Sequence, residues 1–301
     1  MMTPSRWAFA AVLLFALVTA GLIFLRGPAP EPAVPLHDGF RTPVLALEFA
    51  GRADDLDFLE GEAGAAMRTH IRRVQRIDAV LPLAYAGMAA ALFLGLALRG
   101  RFLAAIGIGL ALATIPADWQ ENATIGGILD EIENPVCNAD TIPQGEGPRG
   151  AGPRGAPAGR VVLRDCLGEA AFENVSPALE IASFAFDSFL PVRVEFLRED
   201  RWTKWALIAA QAVLLALILW FDGRPVWHDG RRILAVPPVL AALAITVTWA
   251  SGANGHVAEI MSILLIPFLL TFPVAAVMYF LGQNKGARKK RARQPQVEEN
   301  P

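Results

Sequence analysis

Long apolar runs separated by shorter polar segments dominate the chain. Six runs, each roughly 17 to 26 residues long, match the roughly 20 helical residues that cross the hydrocarbon core of a bilayer. They are Trp7–Leu25, Ala79–Leu98, Phe102–Gly127, Trp205–Phe221, Ile233–Ala250 and Ile260–Leu281. Isolated strands would leave backbone groups unpaired in lipid, so each run is predicted to be a helix. The pattern predicts an all-α integral membrane protein with a bundle of about six transmembrane helices.

The composition agrees with this pattern. Of the 301 residues, 54% are hydrophobic and only 19% are charged, and the mean hydropathy is +0.40. Such values exclude an ordinary soluble domain and fit a multi-pass membrane protein.

The distribution of basic residues predicts the orientation. With the N-terminus in the cytoplasm, Arg99 and Arg101, Arg224 to Arg232 and the tail Lys285–Arg293 all lie on the cytoplasmic side, whereas the short outer loop 251–258 has no Lys or Arg. The positive-inside rule therefore places both termini in the cytoplasm. The alanine- and arginine-rich character indicates a bacterial inner-membrane protein. The first apolar run is longer than a signal-peptide core and lacks a clear cleavage site, so it is predicted to remain as an anchor.

This topology divides the chain into an anchor (1–26), an extracytoplasmic segment (27–77), spans two and three (78–129), a second extracytoplasmic segment (130–204), spans four to six (205–282) and a basic cytoplasmic tail (283–301). In the first segment a proline-rich linker precedes a predicted short strand, Pro43–Ala50. A helix is predicted from Ala53 into the second span. Its basic face could contact lipid phosphates or acidic residues of the other outer segment, or be solvated. That face carries Arg68, Arg72, Arg73 and Arg76.

The second outer segment has a low-complexity centre in which Gly-Pro-Arg-Gly-Ala occurs twice in succession, at 147–151 and 152–156. Cys137 and Cys166 flank this linker. A disulfide between them is predicted if the segment faces an oxidising compartment, and two free thiols are the alternative. Pro177–Leu190 is predicted to be an interfacial helix that Pro191 interrupts.

Candidate chemistry is concentrated in the third apolar run, which contains Asp118-Trp119-Gln120-Glu121-Asn122 two residues after Pro116. Helical spacing predicts that Asp118, Glu121 and Asn122 share one face, near the outer end of the span. Paired carboxylates in a low dielectric suit proton coupling or acid–base work. Solvation at the interface and a structural buried network are the competing interpretations. The candidate polar site consists of Asp118, Glu121, Asn122, Asp78, Tyr85 and Gln211.

Familiar motifs for metals, nucleophiles and phosphates are missing from the sequence, and the four histidines are scattered. We therefore expect no cofactor, and an enzyme is the least supported of three function classes. The first class is a non-enzymatic protein whose outer segments act on a protein partner in an accessory, assembly or sensing role. The second is a small-solute or proton-coupled ion transporter. The expected partners are the bilayer, anionic lipid at the basic tail and a protein on the outer side; nucleic acid is not expected.

Overall fold

The computed structural model describes residues 3–133, 189–221 and 228–292. Helices account for most of this part of the chain. In chain order they are α1 (Pro4–Leu25), α2 (Pro43–Glu48), α3 (Ala65–Asp78), α4 (Leu81–Ala97), α5 (Leu103–Glu133), α6 (Phe189–Phe221), α7 (His228–Ala250) and α8 (Gly255–Ala292). Two 3₁₀ helices, His37–Gly39 and Ala53–Leu59, lie in the segment between α1 and α3.

Six helical segments are long and apolar enough to cross a membrane, as the sequence predicts. They lie in α1, α3 with α4, α5, α6, α7 and α8. The spanning helices contact one another in chain order, from α1 to α4, α5, α6, α7 and α8, and α8 returns to α1. The result is a closed ring of six helices.

The interior of the ring combines large aromatic side chains with many alanines and a few glycines. Phe9, Phe93 and Phe272 are almost completely buried among residues such as Ala104 and Ala111. A Cβ atom on Gly95 would approach the Phe9 ring to 2.5 Å, and one on Gly107 would approach the Phe93 ring equally closely. Small residues therefore let these rings pack against neighbouring backbones, as is common in membrane bundles.

A second hydrophobic core lies at one end of the ring. We call this end the headpiece and define it as residues 36–80, 118–133 and 190–205. Leu47, Leu56 and Ile71 of the first segment are buried there against Ile128 of α5 and Leu197 of α6. The extended ends of α5 and α6 thus provide a wall on which the segment between α1 and α4 folds.

Two expectations for the first segment are wrong. Pro43–Glu48 forms the short helix α2 rather than a strand. Its proline occupies the first turn, where the missing N–H breaks no helical bond. The region after Ala53 forms a 3₁₀ helix in which Asp55 accepts hydrogen bonds from the Gly51 and Arg52 N–H groups. The α-helix starts only at Ala65.

The basic face of α3 is partly paired with acidic residues and partly exposed. Arg72 donates to Asp130 at 2.7 Å and to Glu133 at 2.5 Å on α5, so one of the alternatives for this face, contact with acids of segment 130–204, is present. Arg73 and Arg76 are exposed.

Pro191 does not interrupt a helix, because α6 already begins at Phe189 and Pro191 lies in its first turn. Most of the predicted interfacial helix Pro177–Leu190, both cysteines and the Gly-Pro-Arg repeats lie outside the described residues. The predicted pairing of Cys137 with Cys166 therefore stays a prediction.

Candidate functional site

One turn of α5, from Asp118 to Asn122, contacts a different helix on each side. Trp119 and Asn122 reach toward α3 and α4, whereas Gln120 and Glu121 reach toward α6. Residues one and two positions apart on a helix point in different directions, so a single turn can serve two neighbours. All five side chains of this polar turn bond to groups outside α5.

The contacts toward α3 and α4 satisfy two backbone carbonyls that lose their helical hydrogen-bond donors. Pro82 has no N–H, so the carbonyl of Asp78 loses its helical donor. The Leu83 N–H bonds to the Val80 carbonyl, which leaves the Ala79 carbonyl without its usual donor as well. Asn122 Nδ2 donates to the Asp78 carbonyl at 3.4 Å, and Trp119 Nε1 donates to the Ala79 carbonyl at 2.9 Å. The polar turn therefore caps the C-terminal end of α3.

A hydrogen-bonded pair and an ion pair lie beside these two carbonyls. The Tyr85 hydroxyl donates to Asp118 Oδ2 at 2.5 Å, and Asn122 Nδ2 is 3.3 Å from Asp118 Oδ1. The carboxylate of Asp78 forms an ion pair with Arg26, the residue that follows α1. Together these bonds connect α1, α3, α4 and α5.

Toward α6, Glu121 belongs to a buried ionic cluster. Only 1% of Glu121 is exposed, and its carboxylate forms an ion pair with Lys204. Lys204 Nζ also lies 2.7 Å from Glu48 Oε1 of α2. Trp205 Nε1 donates to the same Glu48 oxygen at 3.1 Å. Arg201, 2% exposed, donates to the Glu48 backbone carbonyl at 2.7 Å.

The cluster sets two carboxyl groups, Glu48 and Glu121, opposite two basic side chains, Arg201 and Lys204. Removing ions from water is costly unless each has a close partner, so each buried charged group of this cluster needs an opposite charge or a hydrogen bond nearby. The Arg201 guanidinium also lies over the Phe49 ring, 4.7 Å from its centroid. Burial raises the pKa of Glu48, but Lys204 and Arg201 outweigh it and hold that pKa below its ordinary value.

The structure brings together part of the predicted site. Asp118, Asn122, Asp78 and Tyr85 form one group between α3, α4 and α5. Glu121 lies three residues from Asp118 on the same helix, but its ion-pair partner is Lys204 on α6 and not a member of this group. The expectation that Glu121 shares a face with Asp118 and Asn122 stays a prediction.

Gln211 does not join this group. Its side-chain amide is buried and donates to the Leu110 carbonyl at 3.4 Å, within the bundle. Leu110 lies eight residues before Asp118 on α5, about 12 Å along the helix axis.

Sequence reasoning missed Glu48, Arg201 and Lys204. Glu48 is the one charged residue in Pro43–Ala50, an otherwise apolar segment that the sequence predicts to be a strand. Arg201 and Lys204 are three residues apart and directly precede an apolar run. A lone acid in an apolar segment and two bases at helical spacing were the available signals.

Some buried polar atoms of the cluster lack a hydrogen-bond partner among the described residues, and Arg201 Nε is one of them. Glu121 Oε1 is buried and accepts no hydrogen bond from the described residues. Within those same residues, no group of three or more His, Cys, Asp or Glu side chains could hold a metal ion.

The polar turn thus carries out capping and charge pairing between four helices, α3, α4, α5 and α6. Comparisons of this chain with protein-family models, with curated proteins and with solved structures find no match.

Proposed function

We propose that this chain is a non-enzymatic multi-pass protein of the bacterial inner membrane that acts on a protein partner through its headpiece. The observation that carries the proposal is the use of the whole polar turn, Asp118 to Asn122, in contacts between helices. Residues engaged in this way stabilise the bundle end and are not presented to a substrate. The headpiece, held in place by these contacts, is then the part that meets other molecules in an accessory, assembly or sensing role.

Charge supports an orientation with the headpiece outside. Within the described ranges, every Asp and Glu except Asp229 lies at the headpiece end or in the adjoining linker, whereas Arg6, Arg99, Arg101 and Arg232 lie at the opposite end. The positive-inside rule then favours cytoplasmic termini. Single cysteines at Asp54 and at Phe102, introduced into a variant with Cys137 and Cys166 replaced by serine, test this orientation with a membrane-impermeant maleimide. We expect labelling of intact spheroplasts at 54 only; labelling at 102 only would contradict it.

In-cell photo-crosslinking tests the partner. A photoreactive amino acid replaces Asp54 or Glu62, which are exposed on the headpiece, or the lipid-facing Leu17 as a control. We expect a discrete protein adduct from the headpiece positions, unchanged in a folded Asp118→Asn background. Absence of any adduct at several headpiece positions would contradict the proposal.

A proton-coupled transporter is the second candidate, favoured by Glu121 Oε1, which is buried and accepts no hydrogen bond from the part of the chain that the structure describes. An unpaired acceptor of this kind could take up a proton during a transport cycle. Proton flux into proteoliposomes, measured with an internal pH dye, distinguishes the two functions. The primary proposal predicts no flux above empty vesicles, whereas transport predicts a flux that Glu121→Gln abolishes while Glu62→Gln retains it.

A further inference from the structure

The outer face of α3 has two arginines that the headpiece does not use. Arg73 and Arg76 are exposed, and neither has a hydrogen bond or ion pair with another residue in the described ranges. The nearby acids Asp130 and Glu133 are already engaged by Arg72. Two guanidinium groups on one helix face, three residues apart, therefore leave a local excess of positive charge.

This positive face continues directly into an apolar face. Ala79 and Val80, between α3 and α4, both have right-handed helical dihedral angles, so the two helices follow one another closely. Val80 is four residues after Arg76, and Leu83 is seven residues after it. These spacings place all of them on one side of the helix. Val80 and Leu83 are 49% and 44% exposed.

The change from charged to apolar coincides with the end of the bundle. Trp119 is 44% exposed and bonds to the Ala79 carbonyl, so its ring lies at the level of Val80. Tryptophan prefers the boundary between headgroups and hydrocarbon, with its N–H toward the polar side. Arg76 is one turn from Val80 on the headpiece side, within the reach of a lipid phosphate, and Arg73 is about one turn further.

We propose that Arg73 and Arg76, with Trp119 below them, bind the phosphate of an anionic phospholipid in the leaflet next to the headpiece. Arginine presents several N–H donors in a plane and pairs with phosphate in a bidentate manner. Val80 and Leu83 contact the acyl chains of the same lipid. Unlike the basic tail, this site lies at the headpiece end of the bundle, and it requires neither the proposed partner nor a particular orientation.

Photo-crosslinking from the lipid tests the site and locates it. The full-length protein is reconstituted into vesicles of equal parts phosphatidylcholine and phosphatidylglycerol, with a trace of phosphatidylglycerol that carries a headgroup diazirine. Mass spectrometry then maps the adducts along the chain. We expect adducts in residues 69–83, displaced by unlabelled phosphatidylglycerol but not by phosphatidylcholine. Adducts at the basic tail map to a separate peptide and do not interfere.

Arg73→Gln/Arg76→Gln should lower the adduct yield in 69–83 about tenfold, because each basic side chain at an anionic surface contributes a several-fold gain in binding. Arg73→Lys/Arg76→Lys should keep most of that yield. The matched control, Arg41→Gln/Arg52→Gln, removes the same charge from other exposed headpiece positions and should leave the yield unchanged. An equal yield in the Gln variant and wild type would overturn the proposal, as would equal displacement by phosphatidylcholine, which indicates a solvated face or general lipid contact.

Discussion

Asn122 on α5 supplies the hydrogen bond that Pro82 withholds from the carbonyl of Asp78. The amide lies 3.4 Å from this oxygen, and the adjacent Ala79 carbonyl receives Trp119 Nε1 at 2.9 Å. A proline near the start of one membrane helix is thus tolerated because a neighbouring helix satisfies the carbonyls it frees.

Asn122→Ala should therefore destabilise the protein by about 1 kcal/mol, because it leaves a partly buried carbonyl without its donor. Because the destabilisation comes from one missing hydrogen bond to the Asp78 carbonyl, a second substitution that replaces this bond should suppress the destabilisation. Pro82→Ala restores the N–H that the Asp78 carbonyl lacks, and the double variant should recover most of the loss in reversible unfolding in mixed micelles. Additive effects of the two substitutions would contradict the capping role.

Lys204 should be the most sensitive residue of the ionic cluster, since it neutralises Glu48 and Glu121 together. Lys204→Met leaves two buried carboxylates without their cation and should cost about 3–5 kcal/mol in the free energy of unfolding. Arg198→Met on the same helix, whose ion pair with Glu195 is half-exposed, should cost less than about 0.5 kcal/mol. Adding Glu48→Gln and Glu121→Gln to Lys204→Met should restore part of the stability; a further loss would show that the cluster is not held by charge.

The membrane architecture was predictable from the sequence, but the partners of the polar residues were not. Hydropathy determined all six spans because lipid imposes one length and one kind of secondary structure. Asp118, Asn122, Asp78 and Tyr85 were found because polar groups at span ends stand out in apolar runs. The partner of Glu121, Lys204, was not predictable, since helical spacing gives directions on α5 but not which neighbour lies there.

The tertiary fold also determines the secondary structure of α2. Pro43–Ala50 is a short apolar run that is compatible with a strand as well as with a helix. In the folded protein Ala46 and Leu47 of this helix are buried in the headpiece. Glu48 pairs with Lys204 across 156 positions of sequence. No local pattern encodes a contact of that range.

The charge of Glu48 should make headpiece stability depend on pH. Its pKa is lowered in the folded protein, because Lys204 and Arg201 outweigh burial. A lowered pKa means that the stabilisation is fully present above the ordinary pKa of glutamate, about 4.3, and is lost as the pH falls through the folded value. Thermal unfolding measured from about pH 7 down to about pH 3, an interval that includes the ordinary pKa of glutamate, should show this loss in wild type. Glu48→Gln should be less stable near neutral pH and lose less on acidification; parallel curves would contradict the assignment.

The carboxyl group of Asp57 should affect the pH dependence of stability in the opposite direction. Partial burial raises its pKa, and the negative charges of Asp54 and Asp55 add to the effect. Asp57→Asn should stabilise the protein near neutral pH by a few tenths of a kcal/mol, a small value because solvent screens a mostly exposed group. The gain should vanish at acidic pH, where the wild-type carboxyl is protonated. Glu62→Gln, at another exposed headpiece position, should change little; an equal gain there would indicate a general charge effect.

Carbodiimide labelling of the protein in its native membrane tests most directly whether the polar turn joins helices or serves a transported ion. Glu121 is 1% exposed and paired with Lys204, and Asp118 is bonded to Tyr85. If the polar turn joins helices, a membrane-permeant carbodiimide should leave both carboxylates unmodified while the protein is folded. It should modify them after heat unfolding, as mapped by mass spectrometry. Rapid modification of Glu121 in the folded protein, accelerated at lower pH, would show a carboxyl that exchanges protons and would contradict the structural role.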